Sequence, residues 1–524
     1  CMVKTAPLLL ALGVVVAAST VLVNQIVPDP YMDEVFHVPQ AQRFCKGYLA
    51  SWDPKITTFP GLYLLPSALA LLLSPLGLIL GSPGLFEGIL CSTSALRWSN
   101  ALLSVLCCAV LHKFLRRLHP SSSSVTLGAH ALALSLLPTH IFFASLYYTD
   151  IGSLLTVLLV AQLCTPRIKA HEDGTDVSMP DSTATAAQGA TLRQRARGRD
   201  RPSTAAATTT AATAVRGSSP KITLSEWLHV FRPQRIASLA LASAAAVLYR
   251  QTNVVWIAFA VALGALRTID ATRPGSLRAG GGMANPVACV WHLFLNAPSL
   301  MIVFAGPIAV AVGFIGFVFW NGGIVVGDRS NHVAGIHIPQ LFYFASACLA
   351  GIAPRLLPLA RSRELHHTSK PTTLPAFLAL VAACLWAVSR FSIVHPFLLA
   401  DNRHFSFYVA RYLLRGSEWV KYAATPVYAA ALLVLWRFAG TVRVPLFREL
   451  WFICAAAVLV PATLIEFRYF TVPFVLLYAY AQPPPLRVSL LLGALFFVTH
   501  AVVMYLFLAR PFSWPDGSVQ RFMY

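Results

Sequence analysis

The sequence predicts an all-α fold, a polytopic transmembrane bundle of about 13–14 membrane helices, each needing roughly 20 apolar residues to span a bilayer. Hydrophobic residues make up 57% of the 524 and charged residues 11%, with a mean hydropathy of +0.66. That is more apolar surface than a soluble chain of this length hides in its cores. The apolar runs are continuous, about 15–22 residues each, and recur along nearly the whole chain. They do not alternate as barrel strands do, and lipid offers no partner to backbone polar groups, so helices are the remaining solution.

The elements follow once one loop is fixed. Residues 165–232 are hydrophilic and rich in Ala, Thr and Ser, with Arg193, Arg195, Arg197, Arg199 and Arg201 at alternate positions. Such a composition builds no core and is expected to be disordered. Its charge assigns it to the cytosol. It separates an N-terminal membrane region, 1–164, from a second one, 233–524. Walking backward, the run ending at Cys164 starts near Asp150 on the luminal side, and the run before it returns to the basic cluster at 112–117 in the cytosol. The next begins at Arg97 in the lumen. The first run, 6–27, is read as a retained anchor that delivers Asp33 to the lumen. The apolar stretch at 61–80 then has no crossing to make. It is expected to be a re-entrant or membrane-surface luminal helix, interrupted at Pro60, Pro66 and Pro75.

Walking forward, the chain reaches the lumen at Arg250, the cytosol at 267–278, and the lumen again at 321–337. The remaining turns are cytosolic at 355–370, luminal at 395–421, cytosolic at 437–448, luminal at Glu466-Phe467-Arg468 and cytosolic at 483–487. Lys and Arg concentrate on the cytosolic side. The net charge of +20 would suggest nucleic acid in a soluble protein. Here the positive-inside rule explains it, and no nucleic-acid partner is expected. The ten cysteines show no CxxC pair and no metal-ligand spacing. Cys107, Cys108, Cys164, Cys289, Cys348, Cys384 and Cys454 lie inside apolar runs as small hydrophobes. Cys45 and Cys91 share the luminal side, but spacing alone does not predict a bond between them.

Acids, histidines, asparagines and isolated arginines gather on the luminal side, so one face carries the chemistry. The densest cluster follows the first anchor. Asp33 and Glu34 are adjacent carboxylates beside a bilayer, which is costly without a purpose. A carboxylate there takes a proton from a sugar hydroxyl attacking an anomeric carbon, or else the two acids serve the N-terminus of a helix. Asp33 and His37 share a helical face at i,i+4. Asp53 precedes Pro54 and reads equally as a turn residue. The rival to an enzyme is a polytopic transporter. Transporters usually show inverted repeats and ionisable residues at the bilayer midplane, and neither is evident in this sequence.

Five stretches carry a resemblance: PYMDEVFHVPQAQRFCKGYLASWDPKITTFPGLYL from Pro30, YRQTNVVW at 249–256, NGGIVVGDRSNHVAGIHIPQLFYF at 321–344, HPFLLADNRHFSFYVARYLLRG at 395–416 and EFRYFTVPF at 466–474. Together they resemble the dolichyl-phosphate-glucose-dependent α-1,2-glucosyltransferase family, over about 28–480 except the Arg-rich loop and the basic loop near 270–285. The resemblance implies a C-type membrane glycosyltransferase fold with a luminal active site in the endoplasmic reticulum. It implies a dolichyl phosphate glucose donor and, as acceptor, the diglucosylated dolichol-linked oligosaccharide used in N-glycosylation. It also implies an acid of the first luminal loop as base, Asp33 or Glu34 with Asp33 favoured, and Asp53 as an acceptor-positioning group. The donor phosphate needs a cation. Arg468 is the first choice, because a guanidinium fork matches phosphate and stays charged near lipid. Arg403, Arg250 and Arg97 come behind it. His395, Asp401, Asn402 and His404 form one luminal cluster suited to phosphate or sugar hydroxyls, and Asp328, His332 and His337 form another. Asp53 and Asp150 stand next in line as a base. No metal or other cofactor is expected, since the spacing is not a ligand pattern. A related lipid-phosphate-sugar transferase with another sugar or acceptor is the nearer alternative.

Overall fold

The computed structural model describes residues 6–166, 221–278, 284–361, 373–414 and 418–524. Most of the Arg-rich loop, the centre of the basic loop near 280 and the basic segment at 362–372 lie outside the described residues. The protein is a helix bundle whose one sheet among those residues is a two-stranded hairpin, Phe512–Ser513 with Val519–Gln520. Seven helices are long and apolar enough to cross a bilayer, or up to nine when two bent pairs each count as one span. Each of the expected thirteen runs contains at least one helix. Two of the shorter ones sit inside. Thr149–Cys164 is buried along nearly its whole length, and so is Thr471–Tyr480. Shielded by neighbours, such helices need not match the bilayer thickness. Outward-facing side chains are apolar instead, as at Ile79, Phe319, Trp320 and Trp419, which suits contact with lipid.

The Thr149–Cys164 helix is the hub. It packs against Thr93–Leu118, Pro233–Tyr249 and Asn253–Thr272. Gly152 permits this. A Cβ there would overlap the Tyr249 ring, so only glycine lets the two helices approach this closely. Asp150 sits half a turn before that contact, at the end of the bundle where the loops meet.

Three expectations are corrected. The prolines do not interrupt 61–79: Gly61–Ile79 is one helix running through Pro66 and Pro75. It packs along Glu34–Cys45, its Ala70 touches Cys45 and Cys91, and Gly61 lies against Leu248. Start and middle thus stay with the loop at 28–60, while Leu72, Leu78 and Ile79 face outward. By length and composition the helix is nevertheless able to cross a bilayer. The run expected as one crossing at 285–321 is three helices, Pro286–Leu295, Ala297–Val303 and Ala305–Asn321, the first two bent by 69°. Asn296 makes the corner. Its amide donates to His292 O and accepts from Ile222 N, and Pro298 follows. The hydrophilic loop ends before 232. Leu224–Val230 is a helix with a Thr223/Glu226 capping box, and Ile222, Trp227 and Phe231 are buried.

Cys45 and Cys91 form a disulfide with Cα atoms 6.7 Å apart, 46 residues apart in sequence. Spacing carries no signal for it. The bond exists because the end of Glu34–Cys45 and the start of Thr93–Leu118 meet over Ala70. Cys45→Ser is expected to lower stability by about 2–4 kcal/mol, the usual worth of such a cross-link. Thermal unfolding with and without reductant checks it. Reductant should lower the wild-type midpoint and leave the variant's unchanged.

Candidate active site

Loops far apart in sequence converge on one end of the bundle. Val326 N donates to Thr57 O (3.1 Å), Asp328 N to Pro54 O (2.8 Å) and Gln251 Nε2 to Thr57 O (2.8 Å). Gly335 N reaches Pro461 O (3.1 Å), and His395 Nε2 approaches Asn331 O (3.2 Å). The stretches expected on one decorated face do share one.

A small polar pocket opens there, lined by Asp33, Phe143, Tyr148, His404, Glu466, Arg468, Met523 and Tyr524. Asp33 precedes the Glu34–Cys45 helix but does not cap it with its side chain. Met32 takes a left-handed φ of 56°, a conformation uncommon outside tight turns and functional sites. The Tyr148 hydroxyl accepts from Asp33 N at 3.2 Å. The Asp33 carboxylate is 37% exposed and accepts from Arg468 Nη1 at 2.8 Å. Arg468 also grips Glu466 through Nε and, at 3.0 Å, through Nη2. Its Nη1 lies 4.0 Å from Asp150. Asp150 is paired in turn with Arg250 at 3.0 Å, whose Nε reaches Thr149 Oγ1 at 3.1 Å.

The charges decide the protonation states. Burial alone would raise the Asp33 carboxyl, but the Arg468 guanidinium outweighs it and holds the group below the usual carboxylate range. Glu466 is shifted in the same direction by the same balance. Burial pushes the His37 imidazole down to about 4 against the opposing pull of Asp33, so it is neutral at pH 7. His37 Nδ1 sits 2.6 Å from the Tyr63 hydroxyl.

The two adjacent acids have different surroundings. Glu34 is fully buried and faces Arg97, also fully buried, at 2.6 Å. Its oxygens further accept from Tyr147 N (2.7 Å) and Tyr31 N (3.1 Å). Arg97 spends its remaining donors on Asn24 Oδ1, Val27 O and Asp29 O. Neither residue reaches the pocket, which removes Arg97 from the donor-site candidates.

Other expected site residues lie around the pocket without lining it. Asp53 is a turn residue: its Oδ1 accepts from Lys55 N (2.9 Å) and its N donates to Gln40 Oε1 (2.9 Å). Asp328 accepts from Asn331 Nδ2 (2.7 Å), and His332 Nδ1 faces Asp328 O (3.1 Å). His337 is fully buried beneath the loops. His395 caps Pro396–Ala400 by accepting from Phe397 N. Asp401 pairs with Arg403 through both oxygens (2.7 and 2.8 Å), and Asn402 Oδ1 accepts from Trp514 Nε1 (2.9 Å). Of that cluster, His404 alone lines the pocket. Sequence reasoning missed Tyr148, Met523, Tyr524 and the part played by Glu466. Only Glu466 left a signal, as an acid two residues from the favoured arginine.

The chain matches the model of the DIE2/ALG10 family over residues 27–195 and 203–479. It is 31% identical over 562 residues to an Arabidopsis thaliana protein, covering 96% of this chain and 97% of the relative. A Mus musculus relative is 31% identical over 521 residues, covering 95% and 93%. A Homo sapiens relative is 28% identical over 522 residues with the same coverage. All three bear the name Dol-P-Glc:Glc(2)Man(9)GlcNAc(2)-PP-Dol alpha-1,2-glucosyltransferase. Likeness to a solved Archaeoglobus fulgidus oligosaccharyltransferase amounts to a TM-score of 0.26 at 10% identity, covering 90% of this chain and 53% of that one, too faint to carry an argument.

Proposed function

This chain belongs to the DIE2/ALG10 family, and from that premise we propose that it transfers glucose from dolichyl phosphate glucose to the diglucosylated dolichol-linked oligosaccharide. The new bond is the terminal α-1,2 linkage, and the bundle belongs with the C-type membrane glycosyltransferases. The observation that carries the reading is the half-exposed Asp33 carboxylate set 2.8 Å from Arg468 in a shared pocket. A base and a phosphate-binding cation must border one pocket, because the bond made and the bond broken share one carbon.

Asp33 takes the proton of the acceptor hydroxyl as that oxygen attacks the anomeric carbon. The bond from that carbon to the phosphate oxygen breaks, and dolichyl phosphate leaves with one more negative charge. Arg468 meets that charge. Three of its five N–H groups are engaged with Glu466 and Asp33, so two remain for phosphate oxygens. The guanidinium supplies the positive charge, and no metal is required. Glu34 and Arg97 hold the loop in place. The Cys45–Cys91 disulfide on the same face supports a luminal site, since such bonds persist in oxidising compartments.

Purified protein given synthetic glucosyl- and mannosyl-phospholipid donors with a diglucosylated acceptor tests the proposal. Product should form only from the glucosyl donor and should resist chelators. Transfer of mannose, or none with either donor, overturns it.

The ion pair also sets a pH dependence. With Asp33 held below the usual carboxylate range, the acidic limb of kcat/KM, which reports the free enzyme, should lie below that range too. In Arg468→Gln the largest contribution opposing burial is gone, so the limb should move to higher pH while activity drops. A pH profile unchanged in shape would separate Asp33 from catalysis.

A further inference from the structure

Residues 510–524 lie outside the stretch matched by the family model, yet they reach the pocket. After the Leu486–Ala509 helix the chain forms its short hairpin, turning at Gly517 with φ of 83°. It then runs beside 403–405. Met523 N donates to Arg403 O (2.9 Å) and Phe405 N to Met523 O (3.0 Å). The side chains add to this: Arg403 Nη1 donates to Gln520 Oε1 (3.0 Å), and Trp514 Nε1 to Asn402 Oδ1 (2.9 Å). His404 Nδ1 lies 2.6 Å from the main-chain oxygen of Tyr524. That oxygen only accepts, so Nδ1 carries a proton and the ring is oriented by the contact. The second ring nitrogen, Nε2, lies 3.8 Å from Asp401 Oδ2 on a residue that lines the pocket, and in the imidazolium form it donates as well. Tyr31, two residues before Asp33, ties the strap to the first loop. Its hydroxyl accepts from Arg521 N (2.8 Å) and donates to Arg521 O (3.0 Å).

We propose that residues 512–524 are a strap that orients His404 toward the phosphate of the polyprenyl donor, with Tyr31 the positioning residue that locks the strap to the Asp33 loop. The assignment of the phosphate rests on the function proposed above. Its chemistry stands on the geometry: an imidazole fixed through Nδ1 by a main-chain oxygen and able, as imidazolium, to donate from Nε2, in the pocket that Arg468 also lines.

Binding of a fluorescent polyprenyl phosphate, measured without turnover, tests it. His404→Ala, Tyr31→Phe and Gln520→Ala should each weaken binding, Tyr31→Phe by about 10-fold, the scale of one lost polar contact. Tyr31→Phe should add nothing in a His404→Ala background, because both act through one ring. Unfolding midpoints should match the wild type. A Tyr31→Phe protein of unchanged midpoint that binds normally, or whose effect multiplies with that of His404→Ala, overturns the strap. Should Tyr31→Phe not fold, Gln520→Ala decides by the same criteria. The function proposed above fails separately: polyprenyl phosphate bound as described with no glucose transferred overturns that reading and leaves the strap standing.

Discussion

Asp33→Asn is expected to lower turnover by about 10²–10⁴-fold, the usual cost of losing a general base, while both substrates still bind. Asparagine keeps the shape of the side chain but takes no proton. The structure adds a second expectation. If Arg468 binds the donor phosphate as proposed, Asp33 competes with it, and the carboxylates grouped about Arg468 and Arg250, namely Asp33, Glu466 and Asp150, outnumber the two guanidiniums. Neutralising Asp33 removes a competitor, so affinity for polyprenyl phosphate should stay level or rise as turnover falls. Single-turnover rates with saturating donor, together with phosphate-lipid binding, check both halves. Turnover within 10-fold of wild type in folded protein would move the base elsewhere, with Asp150, 4.0 Å from Arg468, a candidate.

The same competition clarifies how Arg468 acts. A cation fully satisfied by Glu466 and Asp33 is a weak lure for an incoming anion unless one partner gives way. Glu466 grips it through two nitrogens and Asp33 through one, so Asp33 is the partner that yields. Its carboxylate is then freed from the charge that held its affinity for protons down. On the proposed mechanism, donor binding would thereby make Asp33 a better base at the moment one is needed.

Much of this was legible in the sequence, and the limits have physical causes. Hydropathy marked the helices because lipid tolerates little else, and the positive-inside bias laid on one side most of the loops that meet at one end of the bundle. Asp33 and Arg468 were both named, but their contact spans 435 residues and no local pattern encodes it. The choice between Asp33 and Glu34 stayed open because Glu34 is defined by Arg97, 63 residues away. Histidines and acids at 328–337 read as ligands but mostly bond within their own loop, where short polar side chains satisfy turns. The strap escaped notice because main-chain atoms make several of its contacts, and those look alike in every sequence. Prolines at 66 and 75 misled for another reason: a helix resting on a neighbour tolerates them where an isolated one breaks.

Glu34 carries the other large expectation, and it concerns folding. Its carboxylate and the Arg97 guanidinium are both fully buried. Removing one member of such a pair leaves an unpaired charge and costs about 3–5 kcal/mol. Glu34→Ala should therefore deplete folded protein, and its loss of activity should track the loss of folded material. Arg97→Ala should be at least as severe, since Val27 O and Asp29 O lose their donor as well. Replacing both by apolar residues, Glu34→Leu with Arg97→Met, removes the stranded charge. Part of the stability should return, but not all, because Tyr31 N and Tyr147 N still lack the acceptor that Glu34 provides. Unfolding midpoints of the two single variants and the double variant, set beside activity per folded molecule, read this directly. The informative contrast is Glu34→Gln. A buried amide there turns donor against donor at Arg97, so the midpoint should fall while each folded molecule keeps most of its turnover. A Glu34→Gln protein with the wild-type midpoint and turnover reduced more than about 100-fold, the scale of a lost general base, would instead make Glu34 the base and Asp33 its support.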